Sequence, residues 1–179
     1  MMHMRRFGII LASVVLLGTS ALAQKQGSMS ALKGHDRNAP IDVSADRIEV
    51  QDRADRAIFA GNVHVTQANL TLDTARLTVA YSSSGGVQIR RLDAAGGVVV
   101  KSPSETARGD IGIYDLDQRL ITLLGAVQLN RGSNQVNGSR LVIDLESGRA
   151  VIDGGPPGVN QSGGRVTGHF TVPQRKPGT

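Results

Sequence analysis

The sequence predicts an all-β chain built from antiparallel strands, and three observations carry that expectation. Apolar residues recur at every second position from Pro40 onward, which is the period of a half-buried strand. Turn-forming clusters punctuate the apolar runs at short intervals. A two-part motif also repeats, with an Arg-apolar-x-apolar segment and a Gly-x-Val-x-apolar segment in turn.

Residues 1–23 read as a secretory signal peptide. Arg5 and Arg6 supply the charge, Phe7 to Leu17 the apolar run, and Ala21-Leu22-Ala23 the small-x-small cleavage pattern. The apolar run is too short for a permanent bilayer span, so the expectation is an exported chain with a cleaved leader. Residues 24–39 are polar and aperiodic and read as a flexible lead-in. The β-domain is expected over 40–153. A Gly/Pro-rich basic tail follows over 154–179, with a possible last edge strand at 165–172.

Within the domain, Ile41/Val43, Ile48/Val50, Val63/Val65, Leu70/Leu72, Leu77/Val79/Tyr81 and Leu141/Ile143/Leu145 alternate with polar residues. Turns fall at 52–55, 82–86, 101–105, 115–118, 131–134 and 146–148. Together these predict about a dozen short strands. Arg47–Val50, Arg76–Val79 and Arg140–Ile143 are copies of one half-repeat, and Asp110–Tyr114 is a degenerate copy. Gly61, Gly96 and Gly125 open copies of the other, and Gly154 a truncated one. A glycine at one place in each copy predicts a bend or bulge where the chain passes between sheets. A unit of about 30 residues cannot bury its apolar face alone. Stacked units give a sandwich, a jelly roll or a short β-solenoid-like stack, and any stack that does not close leaves two edges able to pair with another chain.

Composition narrows the function. Aromatics make up 3% of the chain and Trp is absent, too few rings for a base-stacking surface, so no nucleic-acid partner is expected. The chain has no Cys, which excludes disulfides, thiolate metal sites and a Cys nucleophile. The net charge is +5, yet residues 41–153 hold 12 basic and 14 acidic side chains, so the positive excess sits in the flanks. No catalytic set is found: Gly-x-Ser-x-Gly, a phosphate-cradling loop and His-Glu-x-x-His are all missing. The four histidines lack ligand spacing, and Asp115/Asp117 sit in a turn where Asp is common. No metal, no cofactor and no enzymatic activity are therefore expected. The inward parity is nearly all Val, Leu and Ile. It lines either a dry core or an apolar groove, and periodicity does not separate the two. As a groove it would be lined by Val50, Phe59, Val63, Leu77, Val79, Val98, Leu123, Leu141 and Ile143 among others.

Pro40-Ile41-Asp42-Val43, Ser44-Ala45-Asp46, Phe59-Ala60-Gly61-Asn62-Val63-His64-Val65-Thr66-Gln67 and Ala75-Arg76-Leu77-Thr78-Val79 resemble the OstA-like family of lipopolysaccharide-transport proteins. The resemblance runs over 40–152 and extends weakly to Arg165-Val166-Thr167 and Val172-Pro173. It implies an open, slightly twisted β-jelly roll in the periplasm that shields lipopolysaccharide acyl chains on their way from inner to outer membrane. It further implies end-to-end self-association through edge strands. The expected partners are an LptC-type protein linked to an inner-membrane ABC transporter and an LptD-type translocon in the outer membrane. By the same resemblance Ile41, Val43, Tyr114 and Leu116 join the lipid-binding residues. The edge-strand interface comprises Ile41, Asp42 and Val43 at one end and Val166, Thr167 and Phe170 at the other. The sequence departs from the family at 98–100, where Val98-Val99-Val100 replace a frequent aromatic. Three other readings remain open: the membrane-anchored LptC type itself, a structural β-solenoid with a dry core, and a polysaccharide-acting solenoid enzyme.

Overall fold

The computed structural model describes residues 35–36, 38–154 and 164–172; the expected signal peptide and most of the lead-in and tail lie outside these. Ten strands run in chain order: β1 (Ile41–Ser44), β2 (Arg47–Gln51), β3 (Arg56–Gln67), β4 (Leu70–Ser82), β5 (Gln88–Lys101), β6 (Thr106–Asp115), β7 (Leu120–Arg131), β8 (Asn134–Asp144), β9 (Arg149–Asp153) and β10 (Thr167–His169). The all-β expectation holds, but not the dozen short strands. Six of the ten, β3 to β8, are 10–14 residues long. Each runs through a bend that the alternation pattern reads as a break between two strands.

All ten strands belong to one antiparallel sheet, a meander from β3 to β8 with ends that do not meet. Each terminal strand is split in two. β1 pairs with residues 64–67 of β3, and β2 pairs with residues 56–60 of the same strand. At the other end β9 pairs with residues 140–144 of β8, and β10 pairs with residues 135–137. The sheet thus folds along a line into two facing layers. One holds β2, β9 and the halves of the long strands on their side of the bend, and the other holds β1, β10 and the remaining halves.

The bend line is written by the repeat. In β3, β5 and β7 two consecutive residues adopt left-handed backbone: Gly61 (φ 80°) and Asn62 (φ 43°), Gly96 (88°) and Gly97 (83°), Gly125 (74°) and Ala126 (32°). The register shifts between Ala60 and Val63, between Ala95 and Val98, and between Leu124 and Val127. An extra residue on one strand kinks the ladder and raises its twist, and the same kink on alternate strands creases the whole sheet. Gly96 has a second reason to be glycine, since a Cβ there would stand 2.9 Å from the Ala75 Cβ on the neighbouring strand.

The core lies between the layers. Leu77, Leu123 and Leu141 are 0% exposed, one each from β4, β7 and β8, with Val63, Val98, Val127 and Ile143 around them. Leu92, Ala94 and Ala107 belong to it, as do Val65, Leu70, Val79, Val100, Tyr114 and Ile121. Three polar side chains are buried as well: Gln67, Thr74 and Glu105.

Candidate functional site: an apolar cleft at the first edge

The layers are in close contact through the middle of the sheet and splay at its first edge. An open cleft of about 770 Å³ lies there, within the ~300–1,000 Å³ range of ligand pockets. Ile41 and Val43 of β1 form one wall. Ile48 and Val50 of β2, Ala57 and Phe59 of β3 and Val79 and Tyr81 of β4 form the other, with Val87 and Ile89 at the end. The parity that buries Val63 and Val65 also turns these side chains inward, but as the first strands of an unclosed sheet β1 and β2 have no strand beyond them among the described residues. Ile48 and Val50 are consequently 56% and 57% exposed. Large apolar side chains gathered in this way mark a binding surface more often than a solvated one.

The mouth of the cleft is polar. Asp52 and Asp55 sit on and just after the 3-10 turn at Asp52–Ala54, and Tyr81 Oη donates to Asp52 Oδ1 at 3.4 Å. Ser83 Oγ donates to Asp55 Oδ1 at 3.0 Å. Partial desolvation, then the Asp52 charge, pushes the Tyr81 hydroxyl above its ordinary value.

Ile41 also lines a second, narrow cavity of about 30 Å³ deeper between the layers, with Val65, Gln67, Leu70, Leu72, Leu92, Tyr114, Ile121 and Leu123. A polar knot closes one side of it. Tyr114 Oη donates across the layers to Gln67 Oε1 (3.3 Å), and Gln67 Nε2 donates to the Ala39 carbonyl (3.1 Å). His35 Nε2 lies 3.1 Å from the same Gln67 Oε1. The last residues before β1 are thus tied to the interior.

The candidate lipid-binding residues divide by place. Ile41, Val43, Val50, Phe59 and Val79 stand in the cleft. Tyr114 and Leu123 line the narrow cavity. Val63, Leu77, Val98, Leu141 and Ile143 are packed in the closed core, and Leu116 packs against its margin half-buried. Ile48, Ala57, Tyr81, Val87 and Ile89 were missing from the candidate set, although the first three share its parity. At the edges, Ile41, Asp42 and Val43 lie on β1, whose outer side carries no strand among the described residues. At the far edge Thr167 opens β10, flanked by exposed Val166 and Phe170.

The outward faces are solvated and charged. His64 Nδ1 and Asp73 Oδ1 are 2.6 Å apart, and Lys101 Nζ donates to Asp73 Oδ2 at 3.0 Å. The hydrogen bond from His64, aided by Lys101, holds the Asp73 carboxyl below its usual range. Among the described residues no cluster of His, Asp and Glu has the arrangement of a metal site.

Comparison with known proteins accords with this geometry. Residues 42–149 match the family described as LptA/(LptD N-terminal domain) LPS transport protein. A protein of Rhizobium meliloti, named only as uncharacterized, is 32% identical over 168 residues, which span 90% of this chain and 87% of that one. LptH of Pseudomonas aeruginosa, a lipopolysaccharide export system protein, is 24% identical over 133 residues, 72% of this chain and 75% of its own. The crystal structure of LptH, described as the LptA homologous periplasmic component of the conserved lipopolysaccharide transport device, superposes with a TM-score of 0.67 at 20% identity. That superposition covers 77% of this chain and 99% of LptH, and it shows a shared fold. The family match spans the creased sheet from β1 into β9, and the chain belongs to the LptA/(LptD N-terminal domain) LPS transport protein family.

Proposed function

We propose that this protein is a periplasmic carrier that shelters the acyl chains of lipopolysaccharide during transfer from the inner to the outer membrane. The observation that carries this reading is the apolar cleft between Ile41/Val43 and Phe59/Val79, open at a sheet edge that carries no further strand among the described residues. Each methylene sheltered from water contributes about 0.8 kcal/mol, so a few methylenes from each chain suffice for a useful hold. Passage beyond the cleft requires the layers to part, because Leu77, Leu123 and Leu141 close the middle of the sheet.

The edges supply the second half of the proposal. A bare antiparallel edge adds a strand from another chain at little cost, with backbone hydrogen bonds giving affinity. Here β1 with β2, and β9 with β10, each present both layers at once, so a docked neighbour continues the cleft as well as the sheet. The neighbours in this reading are further copies, an LptC-type protein joined to an ABC transporter on the inner-membrane side and an LptD-type translocon on the outer-membrane side. The motive energy comes from that transporter, and this chain performs no chemistry.

Native mass spectrometry of the chain lacking residues 1–23 tests the carrier reading. Mixed with lipopolysaccharide it is expected to form a stable adduct, with little or none from a plain phospholipid. A folded sample that binds neither would overturn the carrier reading in favour of a dry structural module.

A further inference from the structure

The open cleft has a charge pattern of its own. Its walls are apolar and its charged lining residues are Asp52 and Asp55, while no Lys, Arg or His lines it among the described residues. The two carboxylates are held in place at the mouth. Within the turn the Asp55 amide donates to the Asp52 carbonyl (3.2 Å), and the Tyr81 amide donates to the Asp55 carbonyl (2.9 Å), which ties the turn to β4. Each carboxylate engages one hydroxyl through Oδ1, Tyr81 for Asp52 and Ser83 for Asp55, and the second oxygen of each receives no hydrogen bond from the described residues. After desolvation, the charges of Asp52 and Asp55 both add to the upward push on the Tyr81 hydroxyl, so their negative potential reaches the cleft wall. The cations nearest in sequence, Arg53 and Arg56, do not line the cleft, and Arg56 Nε donates to Gln51 Oε1 at 2.6 Å.

An amphiphile that seats its chain against Ile48, Val50 and Phe59 brings its head to this mouth. An ionised carboxylate accepts hydrogen bonds and donates none, so it holds a head that offers hydroxyl donors. A phosphate head meets two like charges and no cation there, and gives up hydration without gaining a partner. We propose that Asp52 and Asp55 are the specificity residues of the cleft, selecting a lipid headed by sugar hydroxyls over one headed by phosphate. The inference rests on the carrier reading and deepens it: the saccharide of the carried lipid lies at the Asp52–Asp55 mouth, and any phosphate it bears points away from it. Apolar walls hold a chain without regard to its head, and repulsion at the mouth supplies the discrimination.

The test compares dodecyl glucoside with dodecyl phosphate, which share one chain and differ in the head. Their affinities are measured below the micellar range by displacement of the uncharged probe N-phenyl-1-naphthylamine from the chain lacking residues 1–23. At low salt the wild type is expected to bind the glucoside about tenfold more tightly, and the preference is expected to narrow as added salt screens the mouth. The double variant Asp52→Asn/Asp55→Asn keeps the shape of both side chains and removes their charge. It is expected to bind dodecyl phosphate about five- to tenfold more tightly than the wild type, with the glucoside changed by less than about twofold. Asp117→Asn/Glu146→Gln removes the same charge from exposed turn residues that do not line the cleft, and should leave both affinities within about twofold. Circular dichroism verifies the fold of each variant. A wild type that binds the phosphate as well as the glucoside, no gain for the phosphate in the Asp52/Asp55 variant, or an equal gain in the Asp117/Glu146 variant overturns the role of the mouth and leaves the carrier reading standing. Binding of neither compound to the folded wild type overturns the carrier reading, and the inference with it.

Discussion

The crease is the feature most open to a quantitative test, and Gly96→Ala is the perturbation to make. Two costs are predicted to add at this position. The backbone stands at φ 88°, where an L side chain costs about 1–2 kcal/mol. The new Cβ also falls 2.9 Å from the Ala75 Cβ, and relieving such an overlap in a packed sheet costs roughly 1–2 kcal/mol more. Gly97 is the internal control: its φ is 83°, and a Cβ there meets nothing within 4 Å. Gly97→Ala should therefore cost only the first amount, and Gly96→Ala about 2–4 kcal/mol. At about 4 °C of Tm per kcal/mol for a domain of this size, the two variants should melt roughly 4–8 °C apart. Thermal unfolding followed by circular dichroism reads this directly. Ala75→Gly removes the opposing methyl group, so in that background Gly96→Ala should cost no more than Gly97→Ala, a coupling of about 1 kcal/mol or more. Equal melting of the two single variants, with no coupling to Ala75, would refute the argument that close strand approach, and not backbone freedom alone, demands glycine at the crease.

Other perturbations separate the packing from the cleft. Leu123→Ala, at a fully buried site, should destabilise by about 2–5 kcal/mol in urea titration. Ile48→Asp and Val50→Asp, at half-exposed sites on the cleft wall, should shift the urea midpoint little yet weaken lipopolysaccharide binding severalfold. Ile41→Asp, which lines both cavities, should weaken binding further, as read by native mass spectrometry. Asp73→Asn should cost about 0.5 kcal/mol at neutral pH, because its contacts with Lys101 and His64 are exposed and screened. The Asp73 carboxyl is depressed in the folded state. Its contribution is therefore present above the ordinary value near 3.8 and disappears as pH falls through the lower folded value, so wild type and variant should converge in strong acid.

Much of this fold was legible because each strand carries its own period. The turn clusters mark the ends of the strands, and Gly61, Gly96 and Gly125 mark the crease, since no other residue recurs at that place. What escaped has a physical reason in each case. Leu92 and Ala94 are core residues hidden in a run of Arg90, Arg91 and Asp93, where charges on the outer face mask the inner alternation. Ile48 and Val50 show the converse: alternation encodes which face a residue takes but not whether another layer covers it. Gln67 follows Val63 and Val65 in strict alternation, and Glu105 precedes Ala107 and Gly109. Their parity was visible, while their polar chemistry argued against an inward place. The separation of cleft from closed core depends on how far two layers splay, which no single strand records.

The meander has a kinetic consequence. From β3 through β9 every strand pairs with its predecessor through a short connection, and β1 extends the β2–β3 ladder past the crease. Such a sheet assembles by zipping outward from its turns, with little of the loop-closure entropy that slows most β proteins. Any hairpin can nucleate, and each added strand finds its register already set by the turn before it. β10 stands apart among the described strands, because it reaches β8 only after the connection from Gly154 to Val166 and must find Thr167–Asn137 without a hairpin to guide it. It should dock last and detach first, and its amides should exchange with solvent well before those of β4 to β7.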